Sequence, residues 1–524
     1  MHNSYLDNFK NLSLIALSFY TGNAIAQKKP IFDRPNILLI MADDMGYSDI
    51  GCYGSEIVTP NIDRLAANGL SFRNFYNNAK SCPTRASLLT GLYNHEAGMG
   101  SGAMNAYEVI KPGPYQGFLN KNRVTIAEVL KSAGYATYMS GKWHLGERKE
   151  VWPLQRGFDK YFGLISGVSS YFEIVQEPTL RVMANGNESW NPPPDNFYMT
   201  QALSDTAVAY LKSHFKNEKK KPFFLYFCTD DPHRSLPFDS WPGPNPFGNR
   251  KEGYPGVTPV VFDPDSVIVP YFLPDIPACR AELAQYYQAI SRLDQGVGKL
   301  ISFLKDADKY ENTLIIYISD NGIAFPGAKT TLYDPGMKLP CIVKLPVEEN
   351  KGKLTDAMVS WVDITPTILD YAGGLPSDNE FQGRSFKKIL ENPGKIDDWD
   401  EVYASHSFHE ITMYYPMRVV RTKKFKMIWN IAYKLDYPFA WDLYESSTWQ
   451  GLRAIGSIYL GTRMIENFIH RAEFELYDLE NDPEELVNLS SVPHYAGILE
   501  ALKVKIKDFQ KRTGDPWFYK WEYE

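Results

Sequence analysis

Four apolar stretches of this chain stop abruptly at charged or amide residues. They are "PNILLIMADDMG" (Pro35–Gly46), "YATYMSGKWH" (Tyr135–His144), "PFFLYFCTDDPH" (Pro222–His233) and "TLIIYISDNG" (Thr313–Gly322). Each reads as a buried strand that delivers polar side chains at its carboxyl end. Helical patterns separate them. "TPNIDRLAANG" is closed by Gly69, and "PTRASLLTGLY" starts with Pro83 at a first helical position. "TQALSDTAVAYLKSHF" and "CRAELAQYYQAISRLDQGVGKLISFLKD" continue the series. Strands alternating with helices specify an α/β fold with a mostly parallel central sheet flanked by helices. Sites in such sheets lie beyond the carboxyl ends of strands. The spacing therefore predicts one cleft shared by Asp43–Asp44, Lys142–His144, Asp230–His233 and Asp320–Asn321.

From about residue 386 the pattern changes. "EVYASHSF", "MRVVRTKKFKMIWN" and "FELYDLENDP" read as strands separated by turns, followed by a helix over Ala496–Arg512. The expectation is a catalytic domain over 27–385 and a smaller C-terminal α+β subdomain with an antiparallel sheet over 386–524. The length of 524 residues exceeds one ordinary core. At the amino end, Lys10 precedes the short apolar run Leu12–Tyr20, and "NAIAQ" offers a cleavage site after Ala26. Residues 1–26 read as an export signal, too short in its apolar run to span a bilayer. The mature protein is expected in the periplasm or outside the cell, without a membrane span. The Pro/Gly-rich segment Pro242–Ser266 is long enough to line a cleft. Five widely spaced cysteines form neither a disulfide framework nor a CxxC metal site.

The net charge of −7 excludes a general nucleic-acid or polyanion binder. An anionic substrate must then meet a local cationic pocket. Asp43, Asp44, Asp320 and Asn321 offer an all-oxygen set, which suits a hard cation such as Ca²⁺ or Mg²⁺. Each pair alone is equally a turn or cap residue. A dinuclear zinc site would need several histidines, and none of the nine lies within these acid clusters.

The stretch "NNAKSCPTRASLLTG" (Asn77–Gly91) places Ser81 two residues before Pro83 and Arg85 two after it. With "GYATYMSGKWH" (Gly134–His144), this stretch resembles the sulfatase family, whose signature is C/S-x-P-x-R followed by residues like "SLLTG". The resemblance implies an alkaline-phosphatase-like core and conversion of Ser81 by a maturase to formylglycine, leaving Cys82 as a neighbour. A plain serine would form a stable sulfate ester. A hydrated aldehyde carries two hydroxyls on one carbon, so one attacks sulfur and the other expels sulfate. The family's ligand set carries over as one Ca²⁺ ion on Asp43, Asp44, Ser81, Asp320 and Asn321. Arg85 helps ionise the attacking hydroxyl and His144 manages the formylglycine hydroxyl. Lys142, His144, His233 and Lys329 meet the sulfate, and His233 or Lys329 protonates the leaving atom.

Pro35 to about Phe172 is similar to bacterial arylsulfatases. From about Pro222 the similarity is to the heparan N-sulfatase branch, carried by "DPHR", "SDNGIAFPGAKTTLYDPG", "SHSFHEITMYYPMR" and "TGDPW". That branch implies a sulfated oligosaccharide substrate, the N-sulfoglucosamine end of heparin or heparan fragments. Lys329 departs from it, because the branch carries Arg there while O-sulfatases carry Lys. An O-sulfatase acting on another glycan therefore stays open. A phosphatase using unmodified Ser81 and a silent glycan binder are the other classes. His409 and Glu410 either contact sugar hydroxyls or form a solvated pair at a strand end.

Overall fold

The computed structural model describes residues 34–103, 112–174, 181–193, 195–235, 246–250, 253–346, 350–374, 381–408 and 413–523. The expected export signal and the pair His409–Glu410 lie outside the described residues.

Eleven strands form the main sheet. In chain order they are β1 (Asn36–Ala42), β2 (Leu70–Tyr76), β3 (Ala136–Gly141), β4 (Lys160–Leu164), β5 (Met183–Asn185), β6 (Glu188–Ser189), β7 (Phe223–Cys228), β8 (Thr313–Ser319), β9 (Lys338–Leu339), β10 (Cys341–Lys344) and β11 (Lys353–Ser360). The order across the sheet is β11-β2-β10-β8-β1-β7-β3-β4-β5-β6, with β9 on β2. Its centre is parallel: Ile40 of β1 faces Phe227 of β7 on one side and Tyr317 of β8 on the other. Only β10, β9 and the β5–β6 edge run antiparallel to their neighbours. Every residue of β1, β7 and β8 is buried, as expected for strands covered on both faces. Alternate side chains serve two cores. Leu38, Ile40, Leu225 and Tyr317 pack under the helices Met199–Asn217 and Pro277–Asp306. Ile37, Leu39, Tyr226 and Ile318 pack under Ser81–Thr90, Ile126–Ser132 and Ile364–Ala372.

The helix Ser81–Thr90 begins two residues earlier than Pro83 suggested. Pro83 sits at its third position, still in the turn whose N–H groups have no intrahelical acceptor. The first bond runs from the Thr84 amide to the Lys80 carbonyl at 3.1 Å. Gly91 closes the helix at φ 67°, a left-handed conformation that glycine adopts without strain.

The second sheet is antiparallel, in the order β12 (Glu401–Phe408), β13 (Tyr414–Thr422), β14 (Phe425–Asn430), β17 (Phe474–Asp478). A small ribbon of β15 (Tyr459–Leu460) and β16 (Arg463–Met464) intervenes. One face packs Val420, Met427 and Leu476 against Leu499, Leu502 and Ile506 of the helix Ala496–Thr513. A buried ion pair fastens that edge: the Arg418 Nη2 donates to Asp515 Oδ1 at 2.7 Å. The other face packs Met417, Val419 and Ile428 with Tyr76 and Met358 of the main sheet. This contact seats the C-terminal part against the β11–β2 edge of the main sheet.

The described parts of Pro242–Ser266 do not line the main-sheet cleft. They lie on the long helix, where Arg292 donates to the Phe247 carbonyl at 2.8 Å and the Thr258 amide donates to Gln295 at 2.8 Å. Among the described residues no helix is long and apolar enough to cross a membrane.

Candidate active site

The four strand ends do converge. Asp43 and Asp44 follow β1, Asp320 and Asn321 follow β8, Lys142 and His144 follow β3, and His233 lies five residues past β7. The chain turns sharply on leaving two of these strands, with φ of 65° at Asp44 and 54° at His144. Positive φ at non-glycine residues is uncommon and marks sites whose surroundings impose it. Here it aims both side chains across the sheet edge.

Ser81 occupies the first position of its helix, facing the same edge. Arg85, one turn on, donates from Nε to Ser81 Oγ at 2.9 Å, and His144 Nδ1 lies 3.4 Å from that oxygen. Arg85 is fully buried and continues inward, bonding Asp320 Oδ2 from Nη2 at 2.9 Å and the Lys142 carbonyl from Nη1 at 3.0 Å. Cys82 is 1% exposed and packs with the core, its sulfur accepts the Ala103 amide at 3.2 Å, and it forms part of the wall of the cavity described below.

Three buried carboxylates here face three permanent cations. Lys142 meets Asp43 at 2.5 Å, Arg85 meets Asp320, and Lys329 meets Asp44 at 2.8 Å. Burial pushes the Asp43 carboxyl up, but Lys142, His233 and Arg85 together hold it below the usual range. For Asp320 burial and the charge of Asp43 prevail and raise it, despite Arg85. Burial opposes the charge on Lys329, yet Asp44 and Asp442 outweigh it and raise its pKa. Both histidines are shifted below the ordinary imidazole value. His144 is held well below its ordinary value by burial, then by Lys142 and Arg85. His233 is lowered by burial, against the pull of Asp44.

His233 is a histidine brought into an acid cluster that the sequence leaves without one. Its Nε2 lies 3.3 Å from Asp44 Oδ2, and Asp43, Asp44 and His233 could together hold an ion. Its bonds argue for a different role. Nδ1 donates to the Arg234 carbonyl at 2.7 Å, so Nε2 carries the lone pair and accepts from Lys329 Nζ at 3.0 Å. The oxygens fit a hard cation better. Asp43 Oδ1 and Asn321 Oδ1 are buried without a hydrogen-bond partner, an arrangement that a bound cation would satisfy. Asp230 is buried at the same strand end, and burial pushes its carboxyl up to about 7 despite Lys142. Asp231 turns away to bind Arg292 at 2.8 Å.

A cavity of about 210 Å³ opens above this cluster. Ser81, His144, His233 and Lys329 line it, as the sequence suggests, while Lys142 and Arg85 lie beneath. Other lining residues were not legible: Lys80, Glu147, Arg181 and Arg234 around the core side, Trp441 and Asp442 from the C-terminal part. Lys80 and Arg234 adjoin recognisable motifs, so their neighbourhood was a usable signal. Trp441 and Asp442 sit in a four-residue helix with no such signal. Glu282 of the long helix binds Arg234 at 2.7 Å and accepts the Thr448 amide at 2.9 Å, tying the chain just after the four-residue helix to the core. Asp442 Oδ2 then accepts from Lys329 Nζ at 3.1 Å.

Comparison with known proteins agrees with this geometry. The sulfatase family model matches residues 35–375, and the model for the C-terminal part of N-sulphoglucosamine sulphohydrolase matches residues 327–449. Human N-sulphoglucosamine sulphohydrolase is 34% identical, over 92% of this chain and 91% of its own. N-acetylglucosamine-6-O-sulfatase of Bacteroides thetaiotaomicron is 26% identical, over 96% of this chain and 91% of its own. A solved structure of a protein in complex with its substrate D-glucosamine-2-N,6-O-disulfate shares the fold, with a TM-score of 0.65 at 24% identity, covering 92% of this chain and 99% of that one. The chain belongs to the sulfatase family, hydrolases of sulfate esters or sulfamates.

Proposed function

We propose that this sulfatase releases sulfate from the N-sulfoglucosamine end of heparin or heparan sulfate fragments, using Ser81 after its conversion to formylglycine. One observation carries the catalytic part: Ser81 Oγ lies between Arg85 Nε and His144 Nδ1, at the floor of a cationic cavity. The substrate part rests on similarity to human N-sulphoglucosamine sulphohydrolase along most of the chain.

Ca²⁺ held by oxygens of Asp43, Asp44, Asp320 and Asn321, with the residue at 81, would supply positive charge for an ionised hydroxyl and a sulfate oxygen. Formylglycine at 81 would supply a second hydroxyl on the same carbon, so that sulfate leaves without a second attack at sulfur. The chain's own residues do the rest. Arg85 stabilises negative charge on the oxygen at 81, and the helix amino terminus adds to it. Neutral His144 is placed to take a proton from that residue. Lys80, Lys142 and Lys329 surround the anion; a cation about 4 Å from a sulfate oxygen contributes about 4 kcal/mol at an effective dielectric of about 20. Lys329 and His233 form one hydrogen-bonded unit that serves the leaving atom. His409 and Glu410 contact sugar hydroxyls in this reading. A maturase acts on Ser81, and residues 1–26 direct export to the periplasm or beyond. The catalytic domain spans 27–385 and the subdomain 386–524.

An O-sulfatase is the second reading, favoured by Lys329 at a position where N-sulfatases carry Arg. Sulfate release from N-sulfoglucosamine and from glucosamine 6-O-sulfate separates the two. Faster release from the N-sulfated sugar is expected. Release from the O-sulfated sugar alone overturns the N-sulfate assignment.

A further inference from the structure

Two carboxylates, Glu147 and Asp442, line a cavity otherwise furnished for an anion. A carboxylate there repels sulfate and needs a compensating task. Asp442 has a specific address: its side chain is 20% exposed, and its Oδ2 lies 3.1 Å from Lys329 Nζ. Lys329 in turn holds His233 Nε2 at 3.0 Å. Asp442 therefore stands beside the pair that serves the leaving atom, whereas Glu147 follows His144 on the Ser81 side.

The chemistry of the two possible leaving groups differs in one respect. Hydrolysis of an O-sulfate breaks S–O, and the electron pair stays on an oxygen that becomes a neutral alcohol. Hydrolysis of an N-sulfate breaks S–N, and the pair stays on nitrogen. Water supplies the fourth oxygen of sulfate, and both its hydrogens end on that nitrogen: R–NH–SO₃⁻ + H₂O gives R–NH₃⁺ + SO₄²⁻. Only the second reaction creates a cation at the leaving atom. A fixed carboxylate stabilises that cation and does nothing comparable for an alcohol.

We propose that Asp442 is the specificity-determining residue that receives the ammonium of the departing amino sugar, and so favours S–N over S–O cleavage. This rests on the N-sulfatase reading. It also gives the C-terminal part a defined role, since Asp442 comes from that part and meets Lys329 of the cluster.

The test compares wild type with Asp442→Asn, and with Asp442→Glu as the conservative variant. First, D-glucosamine and N-acetyl-D-glucosamine are titrated into each protein by calorimetry at neutral pH, which requires no turnover. Wild type should bind the amine more tightly, and Asp442→Asn should lose roughly 10- to 100-fold of that affinity, the usual range for a hydrogen bond to a charged group. Binding of the acetylated sugar should not change. Second, the ratio of kcat/KM for N-sulfoglucosamine to that for glucosamine 6-O-sulfate should fall by a similar factor in Asp442→Asn and recover at least in part in Asp442→Glu. Equal losses on both substrates, or wild type without preference for the amine, overturn the role of Asp442 while leaving the substrate assignment standing. Wild type inactive on N-sulfoglucosamine overturns both.

Discussion

The strand-end cluster and the C-terminal rim build one cavity by opposite means. Asp43, Asp44, Asp320, Lys142 and Arg85 are fully buried, locked together by ion pairs, and supported by parallel strands whose every residue is in the core. Trp441 is 53% exposed, Asp442 is half-buried, and both sit in a four-residue helix. The cluster is rigid because moving any one charge leaves another unpaired in low dielectric. The rim segment packs Ala440 and Leu443 against Ala324, Glu282 anchors the chain that follows it, and Asp442 pairs with Lys329 of the cluster. In the reading proposed above, bond breaking falls to the cluster and choice of sugar to the rim.

The largest effect should come from the cluster. Ser81→Ala removes the oxygen proposed to react, and turnover should fall by at least roughly a thousandfold. Its thermal unfolding should stay near that of wild type, because the hydroxyl makes only neighbouring bonds to Arg85 and His144. Normal turnover in this variant breaks the assignment of chemistry to the cluster.

Buried ion pairs in the two regions then offer a direct contrast. Arg85→Leu strands Asp320, and Asp515→Asn strands Arg418. Each should cost roughly 3–5 kcal/mol of stability in denaturant unfolding. Arg85→Leu should also abolish activity, whereas folded Asp515→Asn should keep most of it. The second pair carries a pH signature. Burial pushes the Asp515 carboxyl up, but Arg418 outweighs burial and holds it well below the usual range. A carboxylate with a lowered folded pKa contributes stability above its unfolded value, near 3.9, that is lost as pH falls below it. Wild type should therefore destabilise on acidification below about pH 4 more steeply than Asp515→Asn. Identical acid limbs contradict the pairing.

Smaller effects sharpen the contrast. A β-carbon on Gly167 would stand 2.4 Å from His144 Nε2. Because the ring can shift, Gly167→Ala should leave stability nearly unchanged and lower kcat by roughly tenfold, less than the roughly 10²- to 10⁴-fold expected for losing a proton-transfer group outright. A kcat equal to wild type removes His144 from the reaction. Trp441→Ala should raise KM by roughly 2- to 10-fold, matching the about 0.5–1.5 kcal/mol of a specific aromatic contact, with kcat preserved. A change confined to kcat would move Trp441 from sugar binding into the chemistry.

The same division governs what the sequence revealed. The parallel core was legible because β1, β7 and β8 are uninterrupted apolar runs, and Asp43, Asp44, His233, Asp320 and Asn321 follow these runs within a few positions. The antiparallel second sheet was legible from alternating strands, and the closing helix from its periodicity. His233 entering the acid cluster was not, since its distance from Asp44 is set by how β7 and β1 pair, not by spacing along the chain. Asp442 carried no signal either: a single carboxylate in a short helix looks like a solvated surface residue until Lys329 fixes it. The Pro/Gly-rich segment misled in the other direction, because the long helix offered Arg292 and Gln295 as partners for its backbone.

The central claim is that the residue doing the chemistry is Ser81 in an oxidised form, with Cys82 a packed neighbour. The mass of the peptide spanning Ser81, taken from protein made in its native host, tests this most directly. The account predicts a peptide lighter by two hydrogens, with the change located on Ser81 and Cys82 unaltered. An active preparation in which Ser81 is wholly unmodified contradicts it.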